Sequence, residues 1–120
     1  MTTPLIASLR QQCNGPRDGA LLRFSLGNAL LADGDALAAI DELRRALEFD
    51  PGYSAAWKVL GKACLEAAQP EAAAAAWRSG MAAASQRGDQ QAGKEMGVFL
   101  RRLEQARATS DASPARDRKD

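Results

Sequence analysis

The sequence predicts an all-α fold built from repeated pairs of antiparallel helices. Residues that favour strands are scarce, and no segment alternates apolar and polar residues with the period of two that a strand shows. Aromatic residues make up only 5% of the chain, and much of its 46% apolar content is alanine, which favours helices. A shift of 34 residues also aligns the chain with itself without a gap, so a repeated helical unit is expected.

The internal repeat is carried by residues that coincide in one register. After the shift, Leu26 and Gly27 fall on Leu60 and Gly61. The other identities are Ala29 with Ala63, Leu31 with Leu65, Ala38 with Ala72, Ala39 with Ala73, and Arg44 with Arg78. The same shift aligns residues of one class where the identity is lost: Leu43 with Trp77, Ala46 with Gly80 and Leu47 with Met81. The chain therefore contains two units of one design.

Repeat 1, residues 19–53, is predicted to hold two helices at 19–32 and 36–48. Both segments place apolar residues on one stripe at helical spacing. The Asp-Gly-Asp segment at 33–35 separates them, because glycine suits a helix C-terminus and aspartate suits an N-cap. Pro51 then ends the unit, since proline cannot continue a helix.

Repeat 2, residues 54–87, follows the same plan. Its first helix is predicted at 54–68, and its second begins at Pro70, where the missing N–H of proline is harmless. The residues expected to point inward are Trp57, Leu60, Gly61, Cys64, Trp77 and Met81.

Flanking segments are expected to cover the two repeats and to complete one domain at 1–106. Residues 1–16 predict an N-terminal helix, interpreted as a degenerate half repeat, and residues 88–106 predict a C-terminal capping helix. Two repeats need such covers because each unit buries its apolar face only against neighbours. Residues 107–120 lack large apolar side chains and are predicted to form a disordered tail.

The spacing of large and small residues in both units resembles the tetratricopeptide repeat family. In repeat 2 the matching residues are Trp57, Leu60, Gly61, Ala73 and Trp77. In repeat 1 they are Leu26, Gly27, Ala39, Leu43, Ala46 and Pro51. Arg23, Cys64 and Ser85 depart from the pattern, at positions where the family has an aromatic residue, a tyrosine and a proline. The resemblance implies a right-handed α-solenoid of antiparallel helix pairs that binds proteins.

Composition argues against several other functions. The chain has no histidine and only two cysteines, Cys13 and Cys64, which we expect to be unbridged and without metal. Nucleophile–histidine catalysis is therefore excluded within this chain, and we expect neither an enzyme nor a cofactor. The formal net charge of +1 is unlike that of a nucleic-acid binder.

Membrane insertion and secretion are not expected either. No apolar stretch is long enough to span a bilayer, and the N-terminus lacks the basic start and apolar run of a signal peptide. A cytoplasmic location is therefore predicted.

The candidate binding site is a concave groove lined by the first helix of each unit. It is predicted to be apolar at one end and basic at the other, if Gly97 of the capping helix corresponds to Gly61. The residues expected to line it are Leu21, Phe24, Asn28, Leu31, Lys58, Lys62, Leu65, Lys94 and Arg101. A groove of this kind fits a protein or peptide partner with acidic groups.

The leading hypothesis is a protein–protein interaction scaffold or adaptor that is a monomer or a weak homodimer. One alternative is a homo-oligomerising structural module, in which a second copy covers an open end of the solenoid. Another is an RNA-binding helical repeat, which the near-neutral charge and the exposed Glu66 disfavour.

Overall fold

The computed structural model describes the backbone of residues 3–119 and the side chains of residues 3–109. This part of the chain contains six helices and no strand, so the all-α class predicted from the sequence is confirmed. The helices are α1 Pro4–Gln12, α2 Ala20–Ala32, α3 Ala36–Phe49, α4 Ser54–Glu66, α5 Pro70–Arg87 and α6 Gln90–Lys119.

Short polar turns set the helix boundaries. The side chains of Thr3, Asp35 and Asp89 each accept a hydrogen bond of 3.2 Å from a backbone N–H three residues later, which caps the start of a helix. Gly34 and Gly88 follow α2 and α5 with positive φ angles of 87° and 74°, a conformation that ends helices and favours glycine.

The repeat is a structural one as well as a sequence pattern. Helices α2, α4 and α6 are called inner helices below, and α3 and α5 are called outer helices. Each inner helix has a glycine as its eighth residue: Gly27, Gly61 and Gly97. The eighth residue of each outer helix, Leu43 in α3 and Trp77 in α5, packs directly on the glycine of the preceding inner helix. A Cβ at Gly27 would lie 2.7 Å from Leu43 Cγ, so the close approach of α2 and α3 requires a glycine there.

The core runs the length of the stack. Leu26, Leu60 and Met96, the seventh residues of the inner helices, are all buried, as are Leu43 and Trp77 from the outer helices. Trp57 differs from the expectation that it is fully buried. It is half-exposed, and its indole Nε1 donates a 2.8 Å hydrogen bond to the carbonyl oxygen of Pro51.

Arg23 occupies the position where the family pattern has an aromatic residue. Its guanidinium is buried and donates 2.8 Å hydrogen bonds from Nε and Nη2 to the Asp18 carboxylate and from Nη1 to Glu42. The loop before α2 is therefore tied to α2 and α3. Glu42 and Asp18 together compensate this buried charge.

The capping helix α6 is held by contacts of several kinds. Met96 lies against Gly80, which leaves room for the thioether. Ion pairs join α6 to the two preceding helices: Lys58 with Glu95, Arg78 with Glu104, and Arg107 with Glu71. These contacts hold α6 against α4 and α5.

Helix α6 continues to Lys119, past the end predicted at residue 106. Alanine and arginine in this segment favour a helix, whereas Pro114 within it disfavours one, so residue propensity alone does not explain the extension. The described backbone is helical at 107–119, where the sequence predicts a disordered tail at 107–120. Residue 120 and the side chains of 110–119 lie outside the described part.

A candidate peptide-binding groove

A groove lies along the faces of α2, α4 and α6 and is called the inner groove below. Its lining residues are Leu31, Lys62, Leu65, Glu66, Trp77, Phe99, Arg102, Leu103 and Ala106. It encloses about 610 Å³, a volume typical of ligand-binding clefts. Most of its lining is apolar, and Leu65 is 44% exposed within it. An exposed leucine in a cleft is available to contact an apolar side chain of another molecule.

The floor of the inner groove is built on a pair of aromatic rings. Trp77 and Phe99 have their ring centroids 5.5 Å apart with the planes tilted by 46°. Trp77 is itself fixed, because its Nε1 donates a 3.1 Å hydrogen bond to the carbonyl oxygen of Lys58. This anchoring gives the floor a defined shape before any partner binds, which lowers the entropy cost of binding.

Two basic residues stand at the rim of the inner groove. The Lys62 ammonium lies over the Phe99 ring, with Nζ 5.0 Å from the centroid, a cation–π contact that orients it. Arg102 is exposed along the same groove, and Glu66 is the acidic residue of the lining. The rim therefore offers two cations and one anion around an apolar floor.

Lys58 does not join this rim as a separate charge. Its Nζ donates a 2.8 Å hydrogen bond to Glu95 of α6, and only 25% of its side chain is exposed. The hydrogen bond from Lys58 also lowers the pKa of the Glu95 carboxyl below its usual value. The Lys58 charge is thus used inside the molecule to hold α6 against α4.

Lys94 and Arg101 lie on a second groove at the end of the stack. That surface is lined by Met81, Ser85, Asp89, Gln90, Gly93, Lys94, Gly97, Val98 and Arg101 and is called the end groove below. Lys58 and Lys62 are the fifth and ninth residues of α4 and contact α6. In the described part of the chain no further helix lies opposite the equivalent face of α6, so Lys94 and Arg101 point out of the stack.

The predicted residues of the first unit are also spread out. Leu31 lines the inner groove, whereas Leu21 is 69% exposed and Asn28 is exposed outside it. Phe24 is half-buried against Tyr53, with ring centroids 4.9 Å apart. The nine predicted residues therefore do not form one surface; three of them, Leu31, Lys62 and Leu65, meet in the inner groove.

Sequence reasoning missed the contribution of Phe99, Leu103 and Trp77. Trp77 was expected only to point inward, and none of the three was predicted to line the groove, whereas in the structure all three line it while packing in the core. The available signal was Phe99, an aromatic residue two positions after the glycine of α6.

The described residues contain neither a candidate metal cluster nor a candidate membrane-spanning helix. Among them no cluster of three or more His, Cys, Asp or Glu could hold a metal ion. No helix in the same part of the chain is long and apolar enough to cross a membrane.

Comparisons with known proteins agree with this architecture. The family model of the tetratricopeptide repeat matches residues 30–94. The TPR repeat-containing protein PA0015 of Pseudomonas aeruginosa is 53% identical over 90 residues, which are 75% of this chain and 86% of that protein. Protein BPP2914 from Bordetella parapertussis has a similar solution structure, with a TM-score of 0.80 and 42% identity over 92% of this chain and 96% of that one.

A more distant structural relative shares the fold alone. The crystal structure of MamA has a TM-score of 0.61 at 20% identity, over 87% of this chain and 69% of that one. The matching family model, the relatives and the stacked helix pairs lead to one conclusion: this chain belongs to the tetratricopeptide repeat family.

Proposed function

We propose that the chain is an adaptor that holds a segment of a partner protein in the inner groove. Tetratricopeptide repeats generally mediate protein–protein interaction, and the chain has their architecture. The observation that carries this proposal is an apolar floor, at which Leu65 is exposed and Leu31 and Phe99 are half-buried, with Lys62 and Arg102 at its rim. Such a surface fits an extended or helical segment with one apolar side chain and nearby acidic groups.

The two parts of the groove have different roles in this proposal. Burial of an apolar side chain on the floor supplies affinity, roughly 25 cal/mol for each Å² removed from water. Contacts of a carboxylate with Lys62 or Arg102 add less, about 0–1 kcal/mol while they stay wet, but they select acidic partners. Glu66 repels the same carboxylate, so it favours one direction of the bound segment.

A binding role suits the groove better than catalysis. Its lining contains no cysteine, serine or histidine that could act as a nucleophile or as the base that activates one. The proteins of this family are typically scaffolds without enzymatic activity, and we propose the same for this chain. We also propose a cytoplasmic location, because the two thiols are free and free thiols persist in a reducing compartment.

A direct test uses a defined probe. A fluorescein-labelled peptide with a central leucine flanked by two glutamates on each side is titrated with the protein, and anisotropy reports binding. We expect binding that weakens with salt and is lost in the double variant Lys62→Glu, Arg102→Glu. The matched control is Lys94→Glu with Arg101→Glu, which makes the same charge change outside the groove. Equal loss in both double variants would mean that the effect is one of net charge and would reject the site.

A further inference from the structure

The end groove occupies the place where a further outer helix of the solenoid would lie. Helix α5 packs on α4 with Trp77 on Gly61, and an open cavity lined by Leu47 and Pro51 lies between α3 and α5. The residues 34 positions after Leu47 and Pro51 are Met81 and Ser85, and both line the end groove together with Gly97. The surface around Gly61 on which α5 packs is therefore repeated around Gly97, and each such surface is called a seat below.

This third seat is open. Gly27 is covered by Leu43 and Gly61 is covered by Trp77, but a Cβ at Gly97 would meet only the methyl carbon of Met81, 3.5 Å away. Val98 beside it is 38% exposed. The groove encloses about 640 Å³, enough for a large side chain. Among the described residues, no helix of the chain fills this space.

We propose that the end groove binds an amphipathic helix from a partner protein, with a bulky apolar side chain over Gly97 and acidic residues beside it. The two filled seats define the geometry, because in each a large apolar residue of an antiparallel helix lies on the glycine. Lys94 and Arg101 outnumber the single acidic residue of the lining, Asp89, and they are seven residues apart and therefore lie along one face of α6. This site is separate from the inner groove.

Charge argues against a second copy of the chain as the occupant. In a head-to-tail assembly, α1 of a second copy would take the place of the next outer helix, because α1 precedes α2 in the chain as the outer helix α3 precedes α4. Its sequence, PLIASLRQQ, contains one arginine and no acidic residue. It would therefore bring a like charge toward Lys94 and Arg101, whereas an acidic helix is attracted.

The probe for this proposal is a peptide copied from α5, residues 70–87, held helical by a hydrocarbon staple on its outer face. In the acidic peptide, Ala74, Arg78 and Met81 are replaced by glutamate. Arg78 and Met81 contact α6 in the intact protein, and Ala74 lies on the same face of α5, between Arg78 and Glu71, which also contacts α6. In the basic peptide the same three residues are replaced by lysine. We expect the acidic peptide to bind at least about tenfold more tightly than the basic one, and a Trp77→Ala version of it to bind at least about tenfold more weakly.

Protein variants then locate the site. Gly97→Leu fills the seat from within and should weaken binding of the acidic peptide at least about tenfold; circular dichroism should remain unchanged because the space is open. Lys62→Glu with Arg102→Glu should leave binding of this peptide as it is. The proposal is overturned if the peptide fails to bind, if Gly97→Leu has no effect, or if the Lys62 and Arg102 variant abolishes binding. It is also overturned if sedimentation shows a dimer of the protein that Gly97→Leu dissociates.

Discussion

The indole of Trp77 lies on the backbone of Gly61, and its Nε1 donates a 3.1 Å hydrogen bond to the carbonyl oxygen of Lys58. One contact therefore joins the two helices of repeat 2 by packing and by hydrogen bonding. The same ring supports Phe99 in the inner groove. The stability of the repeat and the shape of the proposed binding surface consequently depend on the same glycine.

Substitution of the inner-helix glycines should give opposite results at two equivalent positions. Gly61→Ala places a methyl group onto the indole nitrogen of Trp77, so the helices must shift apart. We expect a loss of about 1–3 kcal/mol in unfolding free energy. Gly97→Ala has room, and alanine is the better helix former, so we expect a gain of up to about 1 kcal/mol. Urea unfolding followed by circular dichroism measures both. A similar loss in both variants would show that the end groove is closed.

The turn after α4 contains an alanine in a conformation that favours glycine. Ala68 has a φ angle of 60°, and it stands 34 residues after Gly34, which has a φ angle of 87°. We expect Ala68→Gly to stabilise the protein by about 0.5–1 kcal/mol, because relief of the left-handed strain outweighs the added entropy of the unfolded chain. The reciprocal change, Gly34→Ala, should destabilise it. Thermal unfolding of both variants decides the matter, and a lower melting temperature for Ala68→Gly would contradict the strain argument.

Sequence periodicity could predict the stacked helices because the determinants are local and repeated. Gly27 and Leu43 recur as Gly61 and Trp77 at the same spacing, and each pair brings two neighbouring helices together. The fold class and the family therefore followed from residues close together in the chain.

The binding surfaces depended on features that periodicity does not contain. The Lys58–Glu95 ion pair joins residues 37 positions apart, and it removes a predicted rim charge from the inner groove. Similarly, Lys94 and Arg101 occupy the predicted face of α6, but among the described residues no helix lies opposite that face. The pattern can predict which face of a helix these residues share, whereas it does not predict which helix packs opposite that face.

The two thiols should differ strongly in reactivity. Cys64 is fully buried, and Cys13 is half-buried with its Sγ 3.6 Å from the carbonyl oxygen of Leu9, to which it donates a hydrogen bond. Burial raises the pKa of both thiols and lowers the fraction of reactive thiolate. In the native protein we expect slow modification of Cys13 by a disulfide reagent and protection of Cys64 until urea unfolds the chain. Intact mass should show no loss of two hydrogens and no bound zinc. Equal rates for the two thiols, or a bridged mass, would contradict this assignment.

Acid should weaken the protein partly through Asp18. The hydrogen bonds from Arg23, together with one of 2.8 Å from the backbone N–H of Asn14, lower the pKa of the Asp18 carboxyl from 3.8 to about 2. Because the pKa is lower in the folded state than in the unfolded state, Asp18 contributes its full stabilisation above pH 3.8. That contribution is lost as the pH falls from there toward 2, where the folded-state carboxylate becomes protonated.

The variant Asp18→Asn isolates this contribution, because it cannot titrate and leaves Arg23 paired with Glu42. At neutral pH the variant should unfold at a lower urea concentration than the wild type. The difference between the two midpoints should shrink as the pH is lowered through the range from 3.8 to about 2. The pKa values of Asp50, Asp89 and Glu95 are also lowered. These residues are present in both proteins, so their contribution to acid sensitivity cancels in the difference between the midpoints. A midpoint difference that stays constant across that range would mean that the Asp18–Arg23 contact contributes nothing through charge, and that the variant acts by altered packing alone.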